Sequence, residues 1–388
     1  MPSVAEASFA ERVSVEEEAE ETSTFPEGVV LDDASPTAGV RLPSRRDSDP
    51  TDGLSPISRG EATQPRDRTV ATSAARFGPY EVLDERGGGG MAEVRRARLR
   101  DDPNAPFVAL KRLRRHLVAS EEHRRMLKEE MRIALMFDHE NIVRALDAGE
   151  VDGIPYIAFE LVEGLSARNL IARSKSLGLP LPACMDLGAQ LAAALAYAHQ
   201  LKGPAKKPLD LVHRDVSPDN VLINQQGVVK LTDFGIVRHR NREFDTQTNV
   251  IKGKVQYMSP EAMGEKAVSA AADVFSFGLV LGELLTSTPL VPPSPLGVLA
   301  IDDWNRWVER SVPGRRRDVP ESIVRLLRGT LERDPRRRPR ASSIRDTLER
   351  EVGPARPLHA FLLRASIVSP PEPSTDVEQG FDEEPTMG

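Results

Sequence analysis

Residues 212–223 read VHRDVSPDNVLI, and residues 229–235 read VKLTDFG. Asp215 is followed five positions later by Asn220, and then by the apolar run Val221–Ile223. The second apolar run, Val229–Leu231, leads to Asp233-Phe234-Gly235. Polar residues and a glycine separate the two runs, which is the pattern of a hairpin. Either piece alone reads as a solvated loop. Two acid-bearing pieces joined by an apolar hairpin do not.

The rest of the chain limits what that hairpin can belong to. With 388 residues there is room for one large domain or two average ones. The hydrophobic share of 39% is enough for a sizeable core. A net charge of −7 argues against a general nucleic-acid binder. The single cysteine, Cys184, rules out an internal disulfide or a zinc cluster and suits a reducing compartment. It sits in an apolar helical pattern, as a small core residue would. The N-terminus carries acids where a signal peptide needs a basic start. No unbroken apolar run has the length of a membrane span. The expectation is a soluble, cytoplasmic protein with no membrane and no nucleic-acid partner.

Residues 1–77 are rich in Glu, Asp, Ser, Thr, Pro and Arg and poor in large apolar residues. Such a stretch cannot bury enough surface to offset its ordering entropy, so disorder is expected. Residues 355–388 have a similar proline-rich, acidic character, except that Leu358–Val368 suits a short docking helix. Between them, 78–354 reads as one domain. It opens with a strand-like start at Tyr80 and the run Gly87-Gly88-Gly89-Gly90-Met91-Ala92-Glu93-Val94. Glycine lets backbone N–H groups approach phosphate oxygens with no Cβ in the way. Four glycines also suit a flexible linker, but Val108-Ala109-Leu110-Lys111 follows as a second strand. Ser120 suits a helix cap, with Glu121 and Glu122 in the first turn, and the helix is expected to reach about Phe137. Leu187, Leu191, Ala194, Leu195 and Ala198 give an amphipathic helix pattern. The polar loop Lys202–Asp210 suits a solvated insertion. Further helices are expected at about 299–312, 319–333 and 341–351, with Trp304 and Trp307 as core residues.

From about Tyr80 to Val352 the motifs resemble those of the Hanks-type serine/threonine protein kinases, and the form HRDVSPxN resembles a myxobacterial-type variant. The resemblance implies an α+β, bilobal fold. Residues 78–162 would form a small antiparallel-sheet lobe with one key helix, and 163–354 a larger, mainly helical lobe. ATP and Mg²⁺ would lie between them. Asp215 would orient the substrate hydroxyl and accept its proton, while Asn220 and Asp233 hold the metal. Lys111, paired with Glu130, would neutralise the α- and β-phosphates. Gly87, Gly88, Gly89 and Gly90 would cover the phosphates. Val94, Ala109 and Leu222 would enclose adenine, with backbone bonds from Glu160 and Val162. Phe159 would guard the back of that pocket, and Glu163 would reach the ribose. Thr246 and Thr248 fall where an activation segment is expected, and Arg214 would receive a phosphate there. Glu261 would pair with a buried Arg338, and Asp273 would brace the backbone of the catalytic loop. Protein substrates phosphorylated on Ser or Thr are implied, with self-association for autophosphorylation.

The chain departs from that family at three positions. Ser217 stands where a lysine usually touches the γ-phosphate. Lys254 stands where a threonine usually meets that lysine and the catalytic Asp. The two departures suggest an exchange, with the Lys254 ammonium reaching Asp215 and Ser217 supplying the hydroxyl. Arg86 precedes the first glycine, where an apolar residue normally roofs adenine. There are two rival readings, the first of them motivated by Ser217 and Lys254. One is a pseudokinase scaffold that binds nucleotide or a partner without turnover, and the other is a small-molecule phosphotransferase of the same fold. The Thr246/Thr248 segment and Ser259-Pro260-Glu261 favour protein substrates over the second.

Overall fold

The structure, a computed structural model, describes residues 75–88, 90–102, 104–174, 178–203, 205–234, 255–264, 268–291, 301 and 303–365. Gly89, Thr246, Thr248 and Lys254 lie outside these residues, as do 1–74 and 366–388.

The first half of the fold is a six-stranded antiparallel sheet in the order β1-β2-β3-β4-β6-β5. Its strands are β1 (Ala75–Phe77), β2 (Tyr80–Gly88), β3 (Ala92–Leu99), β4 (Val108–Leu113), β5 (Ala145–Val151) and β6 (Ile154–Glu160). Side chains alternate across a strand, so each strand serves two faces. On β4, Val108 and Leu110 join the core on the outer face with Phe77, Tyr80, Val82, Ala97 and Tyr156. Ala109, Lys111 and Leu113 take the other face, where Leu113 packs with Leu127 and Ile157. Leu127 belongs to α1 (Glu121–Ala134), which Ser120 caps by accepting a hydrogen bond from the His123 amide. The helix stops three residues short of the expected Phe137, and the chain turns so that Phe137 is buried against Phe234.

The second half is mainly helical. A small sheet, β7 (Gly164–Ser166), β8 (Val221–Asn224) and β9 (Val229–Leu231), carries the hairpin expected from the sequence. The helices are α2 (Ala167–Ser174), α3 (Leu181–His199), α4 (Pro260–Met263), α5 (Ala270–Thr286), α6 (Trp304–Arg315), α7 (Glu321–Thr330), α8 (Ala341–Val352) and α9 (Pro357–Arg364). The stripe expected on α3 is too narrow a description. Residues on nearly every side of it are buried, because α5, α8, α9 and β9 all pack on it. By length and composition α3 is apolar enough to cross a membrane, although Asp186 and Gln190 interrupt its apolar run. Its apolarity is accounted for by this central position, and Cys184 lies on it as a fully buried core thiol.

The described architecture begins at Ala75, ahead of the expected 78, and α9 bears out the docking helix expected from Leu358. β1 begins at Ala75 and brings Phe77 onto the outer sheet face, edge-on to Tyr156. α9 inserts Leu358 and Leu362 into the main core, and Asp186 on α3 accepts a 3.1 Å hydrogen bond from the Leu358 amide. Gly227, at φ +76°, passes so close to α9 that a Cβ would lie 2.8 Å from the His359 nitrogen. In the loop at 202–210, Lys202 bridges to Pro208 and the Gly203 amide donates to the Lys207 carbonyl at 3.0 Å.

Candidate active site

The site is assembled from the ends of strands and the loops they feed. β4 presents Lys111 opposite Val94 of β3 and Ile157 of β6. α1 turns Glu130 toward it, and Lys111 Nζ lies 2.5 Å from Glu130 Oε1. The neighbouring Glu129 points elsewhere and pairs with Arg132. Lys111 Nζ also lies 2.8 Å from Asp233 Oδ1, which comes from beyond β9. Three segments distant in sequence thus meet at one ammonium. Burial alone pulls the lysine pKa down, but the Asp233 and Glu130 carboxylates outweigh it and hold it above the ordinary lysine range.

The loop before β8 is held from beneath. Asp273, only 1% exposed near the start of α5, accepts 2.8 Å bonds from the amides of His213 and Arg214. His199 at the end of α3 reaches the same carboxylate at 2.8 Å. Arg214 takes a left-handed backbone, φ +66°, as does Asp233 at +57°. Non-glycine residues hold that conformation where the surroundings over-determine it, and clustering of such residues marks functional sites. His213 is fully buried between Phe234, 4.4 Å away by ring centroid, and the loop. The Asp215 amide donates to its Nδ1 at 3.2 Å, so Nε2 carries the proton and donates to the Thr232 carbonyl at 3.0 Å. Burial pushes this imidazole below its ordinary pKa, against the pull of Asp273 and Asp215.

Asn220 Nδ2 donates to the Asp215 carbonyl at 2.7 Å, which leaves Oδ1 as the atom available to a cation. Asn220 Oδ1 and the Asp233 carboxylate are hard oxygen donors of the kind Mg²⁺ takes. Val94, Ala109, Val162 and Leu222 are half-buried, as the walls of an open cleft would be. Gly87, Gly88 and Gly90 are exposed. At Gly88, φ +156°, a Cβ would lie 2.8 Å from the Ala92 carbonyl, so only glycine fits this turn of the cradle. The donor set and the cradle therefore fit a metal-bound polyphosphate. Glu160 is pinned by Lys230 at 2.7 Å and accepts from the Arg144 amide. Its side chain and Val162 line a cavity of about 430 Å³ that also touches Phe107 and Asn224, while Lys111, Asp215 and Asp233 lie outside that lining.

Ser217 is 1% exposed, and among the described residues its Oγ has no hydrogen-bond partner; Lys254, with which an exchange is expected, lies outside them. A tight turn, with the Asn220 amide donating to the Ser217 carbonyl at 3.0 Å, folds it under the loop between buried Val216 and Pro218. Arg86 does not cover the cleft as a free stem. It pairs along its own strand with Asp84 at 2.9 Å. Among the described residues, the Arg214 guanidinium makes no ion pair or side-chain hydrogen bond. Glu261 meets Arg338 through two bonds of 2.6 and 2.9 Å, and Arg338 also donates to the Ala271 carbonyl.

Several members of the surrounding framework were not anticipated. His199 on Asp273 is one, and Lys230 on Glu160 is another. Glu283, Arg168, Tyr257 and Asp219 form a third group, with Arg168 NH1 2.7 Å from Glu283. One signal was available: Glu283 is the lone acid late in the apolar run DVFSFGLVLGELL, and a buried acid needs a partner.

Residues 80–348 match the protein kinase domain family. The tyrosine-protein kinase MasK of Myxococcus xanthus is 35% identical over 300 residues, 74% of this chain and 46% of that relative. The serine/threonine-protein kinase PrkC of Bacillus subtilis is 34% identical over 261 residues, 66% of this chain and 38% of that relative. The kinase domain of Mycobacterium tuberculosis PknI superposes with a TM-score of 0.54 and 26% identity, covering 72% of this chain and 98% of that domain. The chain belongs to the protein kinase family, among the bacterial Hanks-type kinases. It spans less than half the length of the two curated relatives named.

Proposed function

We propose that the chain is a Mg-ATP-dependent protein kinase that phosphorylates serine and threonine hydroxyls of proteins. The observation that carries this reading is the Lys111 ammonium shared by Glu130 and Asp233, beside a loop that presents Asp215 and Asn220. Bound Mg-ATP supplies the phosphoryl group. Lys111, fixed by Glu130, would neutralise the α- and β-phosphates, and Asn220 and Asp233 would hold the metal. Asp215 would orient the acceptor hydroxyl and take its proton as the γ-phosphoryl leaves ADP for that oxygen. Such transfer needs positioning and charge neutralisation more than covalent chemistry. Val94, Ala109 and Leu222 enclose adenine, and the backbones of Glu160 and Val162 bond its edge. The Arg214 guanidinium is the receiver for a phosphate on Thr246 or Thr248, and that modification would raise activity. A cytoplasmic setting suits this reading, since it supplies ATP and keeps the Cys184 thiol reduced.

The test is incubation of the purified chain with Mg²⁺ and ATP, with mass mapping of phosphosites and identification of the phosphorylated amino acid. Phosphoserine or phosphothreonine is expected in the wild type and not in Asp215→Asn. Phosphotyrosine alone would overturn the serine/threonine assignment and align the chain with MasK. Nucleotide binding without any transfer, with a generic protein substrate present, would favour a scaffold.

The exchange of lysine and hydroxyl between positions 217 and 254 belongs to the same reading. A buried hydroxyl without a partner costs about 1–3 kcal/mol, and the Lys254 ammonium is the group proposed to meet it. Ser217→Lys and Lys254→Thr are each expected to slow transfer, and the double variant to recover much of the loss. Strictly additive losses would sink the exchange.

A further inference from the structure

Arg168, near the start of α2, gathers four polar groups from outside the site described above. Its amide donates to the Pro218 carbonyl at 3.0 Å, which fixes α2 against the catalytic loop. Its NH1 donates to Glu283 Oε1 at 2.7 Å, and its NH2 to the Tyr257 hydroxyl at 2.7 Å. Nε and NH2 reach Asp219 Oδ2 at 3.4 and 3.3 Å. Tyr257 in turn donates to Glu283 Oε2. The guanidinium also lies over the Tyr257 ring, 5.5 Å from its centroid.

Without Arg168 the remaining groups form an acidic recess. Glu283 is its floor, with a side chain only 2% exposed, and Asp219 is its rim at 48%. Burial pushes the Glu283 carboxyl above the ordinary range even with two hydrogen bonds on it. An ionised carboxylate at that depth needs a cation. The recess adjoins the site: Asp219 is the residue before Asn220 and stands four positions after Asp215. Asp219 is half-exposed on the loop that presents Asp215, where the residues flanking a peptide's acceptor hydroxyl could reach it. Guanidinium is the group whose planar fork matches two carboxylates and a hydroxyl.

We propose that Arg168 is a specificity-determining residue, which fills from within the chain a cation site formed by Asp219, Glu283 and Tyr257. Peptide substrates then dock without an arginine at that point, and removing Arg168 opens the site to one. The proposal rests on the protein kinase reading for its substrate class, but its test reads binding as well as turnover.

The probes are fluorescent serine-centred peptides in which one arginine is scanned through the positions flanking the acceptor, with an all-alanine peptide as reference. Binding is followed by polarisation, and initial rates are measured with Mg-ATP, on the full chain. The wild type is expected to bind all of them within about twofold. Arg168→Ala is expected to bind one arginine peptide about tenfold more tightly than the reference, a difference of about 1.4 kcal/mol. In turnover the gain should fall in KM and leave kcat alone. Arg168→Lys should behave as the wild type. Arg168→Gln keeps hydrogen-bond donors to Glu283 and Tyr257 and serves if the alanine variant does not fold. An unchanged preference in a folded variant overturns the proposal. So does a wild type that already prefers an arginine peptide tenfold, whether or not either variant folds. Altered binding with no phosphate transfer in any protein would sink the kinase reading and leave the filled site standing.

Discussion

His213 shows how one buried side chain ties the site to solution conditions. Its single proton sits on Nε2, bonded to the Thr232 carbonyl, while Nδ1 receives the Asp215 amide. A second proton would have to go on Nδ1 and would break that bond. Because burial holds the folded pKa below the ordinary value, the folded protein binds fewer protons than the unfolded chain there. The stability His213 confers is whole above about pH 6.5 and declines as the pH falls below it. His213→Gln retains an acceptor and a donor without titrating. Melting temperatures of the two proteins should converge as the pH drops from 7.5 to 5.5, and parallel curves would disprove the account. At this scale the sequence was most informative. Lys111, Asp215, Asn220 and Asp233 could be singled out because each lies in a short motif that resembles the kinase pattern, and Glu130 because it stands nine residues before His139 as in that pattern. Ser217 and Arg86 were legible as departures, but their side-chain directions were not, since these depend on a turn beneath the loop and on Asp84.

Among the elements, α5 is the post against which the larger half is built. Asp273 and Glu283 stand on it, one bracing the catalytic loop and the other bound to Arg168. Its closeness to α7 depends on Gly278, where a Cβ would lie 2.3 Å from Thr330 Oγ1 and 3.0 Å from Leu331 Cδ2. Thr330 is fully buried and cannot yield freely. Gly278→Ala is expected to cost about 1–3 kcal/mol, seen as a lower urea midpoint at unchanged slope. Adding Thr330→Ala should return part of that loss, and additive costs would refute the contact as its cause. The existence of most helices could be read from apolar spacing, but their ends could not. α1 stops before Phe137 because that ring packs on Phe234. α6 runs from Trp304 to Arg315 rather than 299–312, because Asp303 caps it. Partners far apart in the chain, such as Arg168 and Glu283 at a separation of 115 residues, leave no local trace.

Among the described residues, the main core is closed by α9. α9 lies beyond the family match, which ends at residue 348, yet Leu358 and Leu362 are fully buried in the main core. Asp186 receives the Leu358 amide and also accepts from Gln190, whose Oε1 bonds the Val229 amide at 2.8 Å. α9 is thereby joined to the hairpin that leads to Asp233. A chain ending at Gly353 should lose about 3–6 kcal/mol, from two leucines that no longer leave water. Chemical denaturation measures this directly, and an equally stable shortened chain would show α9 to be ornamental.

The contact between Leu358 and Asp186 bridges 172 residues. At bacterial elongation rates of about 5–20 residues per second, α3 is made roughly 10–30 s before the helix that covers its flank. For that interval the flank of α3 that Leu358 and Leu362 cover in the folded chain lacks its native cover. Pauses in translation after α3 would lengthen the interval, and the yield of folded protein would then depend on how fast α9 is made.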